Sequence, residues 1–256
     1  MTRRHLAFDC EGSACIGTID EATGSTGLLI VSGGNELRAG AWNGQALLAA
    51  RIAAAGFPVF RFDRRGVGDS AGANGGFRSS TPDIAAALAA FRASAPLVSR
   101  VIAFGNCDGA TALALINGAG CNGLLLSNPW VIEGEQQAAP PAAVRAHYAQ
   151  RLKDPRAVLR LLGGKVSLKG LFASLRSALS RAAPPSSLAQ EFVAGLGQFT
   201  GPVTILLAGR DRTAQVFDAT WDRADPRVQR CAGATHSYVE SQDWLEARVL
   251  EVLGRV

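Results

Sequence analysis

The stretch Val101-Ile102-Ala103-Phe104-Gly105-Asn106-Cys107-Asp108-Gly109-Ala110 decides how the rest of the chain is read. Its first four residues form an apolar run of the kind found in strands buried on both faces. Small residues follow, and then an Ala/Leu-rich segment reaching Asn117 that predicts a helix over 107–117. A strand that turns so abruptly into a helix puts its pivot, Cys107, in a strained backbone conformation. Residues two before and two after the pivot must be small, because the turn presses them against neighbouring elements. Glycine fills both places.

The same alternation of apolar strand and helix extends in both directions. Upstream lies a short run at 27–31, then an Ala/Leu-rich helix over 42–55 closed by Gly56. A strand at 58–62 leads to a glycine-rich loop, 65–76, and to a helix over 82–92 with Thr81 as N-cap and Pro82 in its first turn. Two further strands, 4–8 and 14–19, flank a turn at Glu11-Gly12 and should pair as an antiparallel edge. Downstream, a strand at 123–127 ends at Asn128-Pro129. Strands at 203–207 and 227–231 follow later, with helices over 214–221 and 237–253. This order predicts an α/β protein with a doubly wound, mostly parallel sheet of about eight strands. Between 130 and 199 only helical patterns and the proline pairs Pro140-Pro141 and Pro184-Pro185 are legible. A structureless loop of that length is implausible. The expected organisation is a core of 1–129 and 200–256 interrupted by a helical cap insertion, 130–199.

With 48% apolar and 18% charged residues, the chain can build a sizeable core. No run approaches the ~18 uninterrupted apolar residues of a membrane span, and no signal-peptide core follows Arg3 and Arg4. A cytoplasmic location is therefore expected. Five scattered cysteines (Cys10, Cys15, Cys107, Cys121, Cys231) make no C-x-x-C pair, and three histidines (His5, His147, His236) are too few for a His-rich metal site. Neither a metal nor an organic cofactor is expected. Between Arg145 and Arg181 nine Lys or Arg residues face one acid, Asp154. That net +8 exceeds the +5 of the whole chain, so the basicity belongs to the insertion and does not indicate nucleic acid.

Gly105-x-Cys107-x-Gly109 fits the nucleophile-elbow pattern with cysteine in place of serine. The helix start would favour a thiolate at Cys107. In such a fold the acid and the histidine follow the nucleophile in that order. Asp211 lies just past the strand at 203–207, and His236 just past the strand at 227–231, so both should reach the sheet edge that carries Cys107. Asp211 is also a fitting helix N-cap. His236 would serve as base and acid, and Asp211 would fix its tautomer. The expected oxyanion donors are the Asp108 backbone N–H and a second N–H from Ser32-Gly33-Gly34-Asn35, either Gly34 or Asn35. The Asp108 side chain reads as a first-turn helix charge, and the other four cysteines as packing.

Phe62-Asp63-Arg64-Arg65-Gly66-Val67-Gly68-Asp69-Ser70 resembles the D-x-R-G-x-G-x-S loop common in α/β-hydrolases. The resemblance covers nearly the whole chain and implies the α/β-hydrolase fold. More narrowly, the chain resembles exosortase A system-associated hydrolases of type 1. The residues that match are Gly33-Gly34, Arg38, Gly40, Ala55-Gly56-Phe57-Pro58-Val59, Cys107-Asp108-Gly109, Asn128-Pro129-Trp130, Arg151-Leu152 and Leu161-Leu162. That resemblance implies a bacterial hydrolase tied to an exopolysaccharide or protein-sorting locus. Arg38 and Trp130 are the residues taken as candidates for substrate contact. The chain departs from the pattern at Asn35, where proline is expected, and at Arg64, where tyrosine is frequent; the second departure is expected to leave the catalytic assignment untouched.

The expected activity is cleavage of an ester or thioester through an acyl-cysteine intermediate. Acyl transfer to a hydroxyl or amine by the same triad is the enzymatic alternative, and a non-catalytic binding scaffold is the alternative from another class. The basic cap segment, 145–181, with an amphipathic helix expected over 165–181, could pack over the site. It could also receive an anionic carrier (the phosphates of coenzyme A, or an acyl carrier protein) or make peripheral contact with an anionic membrane.

Overall fold

The computed structural model describes residues 2–133 and 186–255. The expected amphipathic helix at 165–181 and the basic cluster at 145–181 lie outside the described residues. Strands β1 (Arg3–Cys10) and β2 (Ser13–Asp20) form the hairpin that the Glu11-Gly12 turn predicts. They are followed by β3 (Thr26–Val31), α1 (Gly44–Ala54), β4 (Val59–Phe62), α2 (Thr81–Ser94), β5 (Arg100–Asn106), α3 (Asp108–Leu115) and β6 (Gly123–Ser127). After the undescribed stretch come α4 (Ser187–Gln198), β7 (Val203–Ala208), α5 (Arg212–Thr220), β8 (Val228–Cys231) and α6 (Gln242–Arg255).

All eight strands join one sheet in the order β1-β2-β4-β3-β5-β6-β7-β8. β2 pairs antiparallel with β1 and β4, and the remaining neighbours are parallel. Helices cover both faces, which is why the central strands read as continuous apolar runs. Alternate residues serve opposite cores. Leu29, Val31, Val101, Ala103, Leu124 and Leu126 join the layer under α2 and α3, whereas Leu28, Ile30, Ile102, Phe104 and Leu125 join the layer under α1 and α6.

Several boundaries move, each for a backbone reason. The helix expected from Trp42 begins at Gly44, because Trp42 and Asn43 have φ of 48° and 63°. The helix after Cys107 stops at Leu115, short of Asn117 and its φ of 53°. Ser80, not Thr81, occupies the N-cap position of α2. The last helix starts at Gln242, after Tyr238 turns the chain at φ 54°.

Helix α4 falls in the stretch assigned to the insertion. Its buried residues Ala189, Phe192 and Leu196 nevertheless belong to the same core layer as β5 and β6. A parallel β6–β7 connection needs a covering helix, and α4 fills that role beside α3. Ser186 caps it by accepting the Ala189 N–H at 3.0 Å. Phe192 is fully buried and meets Phe217 and Trp221 edge-on at centroid distances of 5.4 and 5.8 Å. Phe192→Ala should therefore cost about 3–5 kcal/mol of unfolding free energy, as a core aromatic does. Urea denaturation followed by far-UV circular dichroism measures it, and a loss below 1 kcal/mol would remove α4 from the core.

Candidate active site

β5 runs into α3 through Cys107, whose φ of 58° and ψ of −126° are strained for a residue with a side chain. Close approach holds it there. A Cβ on Gly105 would lie 2.7 Å from the Ala110 backbone, and one on Gly109 would lie 2.5 Å from the Val31 carbonyl oxygen. Only glycine fits at either place. The Cys107 N–H donates to the Ser127 carbonyl at 2.9 Å, and its own carbonyl accepts the Trp130 N–H at 3.3 Å. The sulfur is thus fixed at the carboxyl ends of the parallel strands, and the thiol is half-buried.

His236 reaches the same edge from the loop after β8. Its Nδ1 lies 3.0 Å from Asp211 Oδ1, and the Cys107 thiol is among the groups that favour its charged form. Asp211 holds both of its expected places at once, because its two oxygens divide the work. Oδ1 faces the imidazole, and Oδ2 accepts the Ala214 N–H at 2.9 Å as the N-cap of α5. The Asp211 hydrogen bond, and after it the one to Cys107, hold His236 on its proton and push its pKa up to about 10 against the opposing effect of burial.

Two side chains that carried no assigned role organise this arrangement. Asn128, fully buried at φ 46°, donates to Asn106 Oδ1 and to the His236 carbonyl, each at 3.1 Å. Its Oδ1 accepts the Ala208 N–H at 2.8 Å. One amide thereby ties together the ends of β5, β6 and β7 and the histidine loop. Tyr238, two residues beyond His236, accepts from the Ser127 hydroxyl at 3.1 Å and stacks on Trp244. A polar residue at a strand's carboxyl end before proline was the available signal for Asn128; nothing local marks Tyr238.

The loop after β3 lies against the elbow. A Cβ on Gly33 would be 2.8 Å from Cys107 Cβ. No acceptor among the described residues takes the Asp108 backbone N–H. The Gly34 N–H, however, already donates to Asp108 Oδ1 at 2.5 Å, and Asn35 Oδ1 accepts from Asn74. Arg64, a departure from the family pattern expected to leave the catalytic assignment untouched, donates to the Gly34 carbonyl. Arg38 is committed elsewhere. Its guanidinium pairs with Asp63 and with Asp69, the latter at 2.9 Å, and donates to Thr18. It joins the loops after β3 and β4 instead of presenting a free cation to substrate. Trp130 is half-buried beside the elbow, and its carbonyl accepts the Thr111 hydroxyl at 2.7 Å. A cavity of about 40 Å³ reaches His236 and is lined by Trp42, Leu48, Phe104, Asn106 and Tyr238 among others.

Elsewhere, Cys10, Cys15 and Asp83 bring three ligand-type atoms within 4.8 Å of one another. Asp83 is taken by Arg65 through its backbone and guanidinium. Burial pushes the Cys10 thiol up to about 11 and also raises Cys15. Protonated thiols beside an arginine–carboxylate pair fit packing better than cation binding.

A doubly wound sheet with an elbow at the end of β5, an acid after β7 and a histidine after β8 defines the α/β-hydrolase class. The chain belongs to the alpha/beta hydrolase family, whose sequence model matches residues 28–248. Among solved structures it is similar to the Pyrococcus furiosus esterase Pf2001, with a TM-score of 0.63 and 14% identity over 99% of this chain and 91% of that one. It is also similar to a thioesterase domain from the curacin biosynthetic pathway (TM-score 0.59, 13% identity, 98% and 100% covered). A third is the proline iminopeptidase of Mycobacterium smegmatis (TM-score 0.58, 15% identity, 98% of each chain). No curated protein sequence matches the chain. Among the described residues no helix is long and apolar enough to cross a membrane.

Two measurements probe this geometry. Asn128→Ala strands the Ala208 N–H and the His236 carbonyl and should cost about 2–4 kcal/mol, read from chemical denaturation; an unchanged midpoint would deny the amide its role. Asp211→Asn keeps an N-cap but removes the charge facing His236. A raised folded-state histidine pKa stabilises below the unfolded value of 6.5, and that contribution fades as pH rises towards about 10. The melting-temperature gap between wild type and Asp211→Asn should therefore be widest near pH 6 and narrow steadily towards pH 10. A gap independent of pH would contradict the pairing.

Proposed function

We propose that the chain hydrolyses an ester or thioester through an acyl-Cys107 intermediate. The observation that carries this reading is His236 paired with Asp211 at 3.0 Å while the Cys107 thiol of the elbow acts on its charge. With the Cys107 proton already held on His236, the sulfur attacks the acyl carbon. The resulting oxyanion is met by the Asp108 backbone N–H and a second donor from the loop after β3. The imidazolium then protonates the departing oxygen or sulfur, leaving the acyl group on Cys107. Once the sulfur is acylated it no longer supports the histidine's charge. His236 then releases its proton more readily, as a base for water requires. Water attacks the thioester, its proton moves to His236, and the acid leaves as the sulfur regains a proton.

A thiolate suits esters and thioesters better than amides, whose amine leaving group is poorer than the sulfur itself. The intact ordered triad speaks against a purely binding scaffold. A location in the cytoplasm, a link to an exosortase locus and a carrier-bound substrate rest on the sequence reading and its resemblance. Receipt of such a carrier by the basic segment 145–181 rests there as well.

Intact-mass spectrometry after exposure to a panel of acyl thioesters and p-nitrophenyl esters should show one acyl adduct on Cys107, absent from Cys107→Ala. His236→Ala should slow acylation by about 10²–10⁴-fold and slow iodoacetamide labelling of Cys107 at pH 7. Uniform slow labelling of all five cysteines, with no acyl adduct, would defeat the proposal.

A further inference from the structure

Asp108 stands one residue past the sulfur, and its carboxylate is mostly enclosed, with 17% of the side chain exposed. Oδ1 accepts the Gly34 N–H at 2.5 Å, and Arg64 Nη2 lies 3.7 Å from that same oxygen. Arg64 is itself buried, with 7% of its side chain exposed. Its Nη2 donates to the Gly34 carbonyl, but among the described residues Nη1 is buried without a hydrogen-bond partner. A Cβ on Gly33 would lie 2.8 Å from Cys107 Cβ and 3.2 Å from Asp108 Oδ1, so this loop is pressed against the elbow and its carboxylate.

Two parts of this arrangement are unsettled by the ordinary rules of burial. A carboxylate on the Gly34 N–H occupies a donor that an oxyanion needs, and its charge repels a second negative charge at short range. A buried guanidinium with an unused N–H is unfavourable until an acceptor reaches it. One small movement answers both. Rotation of the Asp108 side chain away from Gly34 and onto Arg64 fills the vacant N–H with a charge-assisted bond and frees the loop amide.

We propose that Asp108 is a two-position plug for the oxyanion hole and that Arg64 is its receiver. At rest the carboxylate holds the Gly34 N–H. When an acyl oxygen enters, the carboxylate turns onto Arg64, and the Gly34 and Asp108 backbone N–H groups converge on the substrate. Arg64 is a positioning residue, acting through Asp108 without touching the reacting atoms. This inference rests on the proposed acyl-Cys107 chemistry.

The test uses p-nitrophenyl acetate turnover, with acyl-Cys107 followed by intact mass. Asp108→Ala keeps the backbone N–H and should raise kcat roughly tenfold, the scale of a hydrogen bond to a charged group, with Asp108→Asn intermediate. Arg64→Gln should lower kcat by roughly tenfold with KM little changed, and Arg64→Lys should recover part of the loss. In the double variant the Arg64 substitution should cost far less, because the residue acts only through the carboxylate. Melting curves establish that each variant is folded. A folded Asp108→Ala that is slower than wild type would overturn the plug, as would an Arg64→Gln penalty equal in both backgrounds. Absence of acyl-Cys107 in wild type and all variants would instead bring down the proposed function, and the plug with it.

Discussion

A positive φ at Cys107 is the constraint on which the rest of the site depends. At φ 58° and ψ −126° the residue would relax if its neighbours allowed it. They do not, because the chain on either side is pressed into contact. Gly105 lies on the Ala110 backbone, Gly109 lies on the Val31 carbonyl, and the Cys107 amide is held by Ser127. Strain stored in one residue is supported by two parallel strands and the helix they launch. The consequence is a cysteine whose backbone is held at the carboxyl edge of the sheet.

Around that fixed point a polar layer sets the partners. Asn128 joins three strand ends to the His236 loop, while Tyr238 anchors the same loop from below through Ser127. Asp211 illustrates economy in such a layer, since one carboxylate both begins a helix and orients an imidazole. Bonds of this kind act at low dielectric, where a missing partner is costly, so the layer tends to keep a single arrangement. Asp108 is the exception, because its carboxylate has one partner in hand and another 3.7 Å away.

Much of this was legible along the chain. The apolar runs of β3, β5, β6 and β7 announce a sheet covered on both faces, and Gly105-x-Cys107-x-Gly109 marks the pivot between strand and helix. Asp211 and His236 could be chosen because each directly follows a strand. Arg38 could not be judged in the same way. Sequence offers a cation in a loop, and only the fold shows Asp63, Asp69 and Thr18 using it. Nor does the sequence show that Arg64, in the loop after β4, lies against Gly34 in space. Helix α4 was hidden for a related reason. Its amphipathic pattern does not say which surface its apolar side will meet, and that surface includes α3.

By itself, then, the sequence determined the alternation of elements, the pivot at Cys107 and the order of Cys107, Asp211 and His236. Those properties follow from short-range rules, namely residue size at a turn, apolar periodicity and capping. Tertiary structure alone decided which charges neutralise one another and which remain available. Ion pairs and buried amides join residues tens of positions apart, and no local pattern encodes the distance between them. That is why Arg38 turned out to be occupied, Asn128 central, and Arg64, among the described residues, left with an unpaired N–H beside the carboxylate that follows the sulfur.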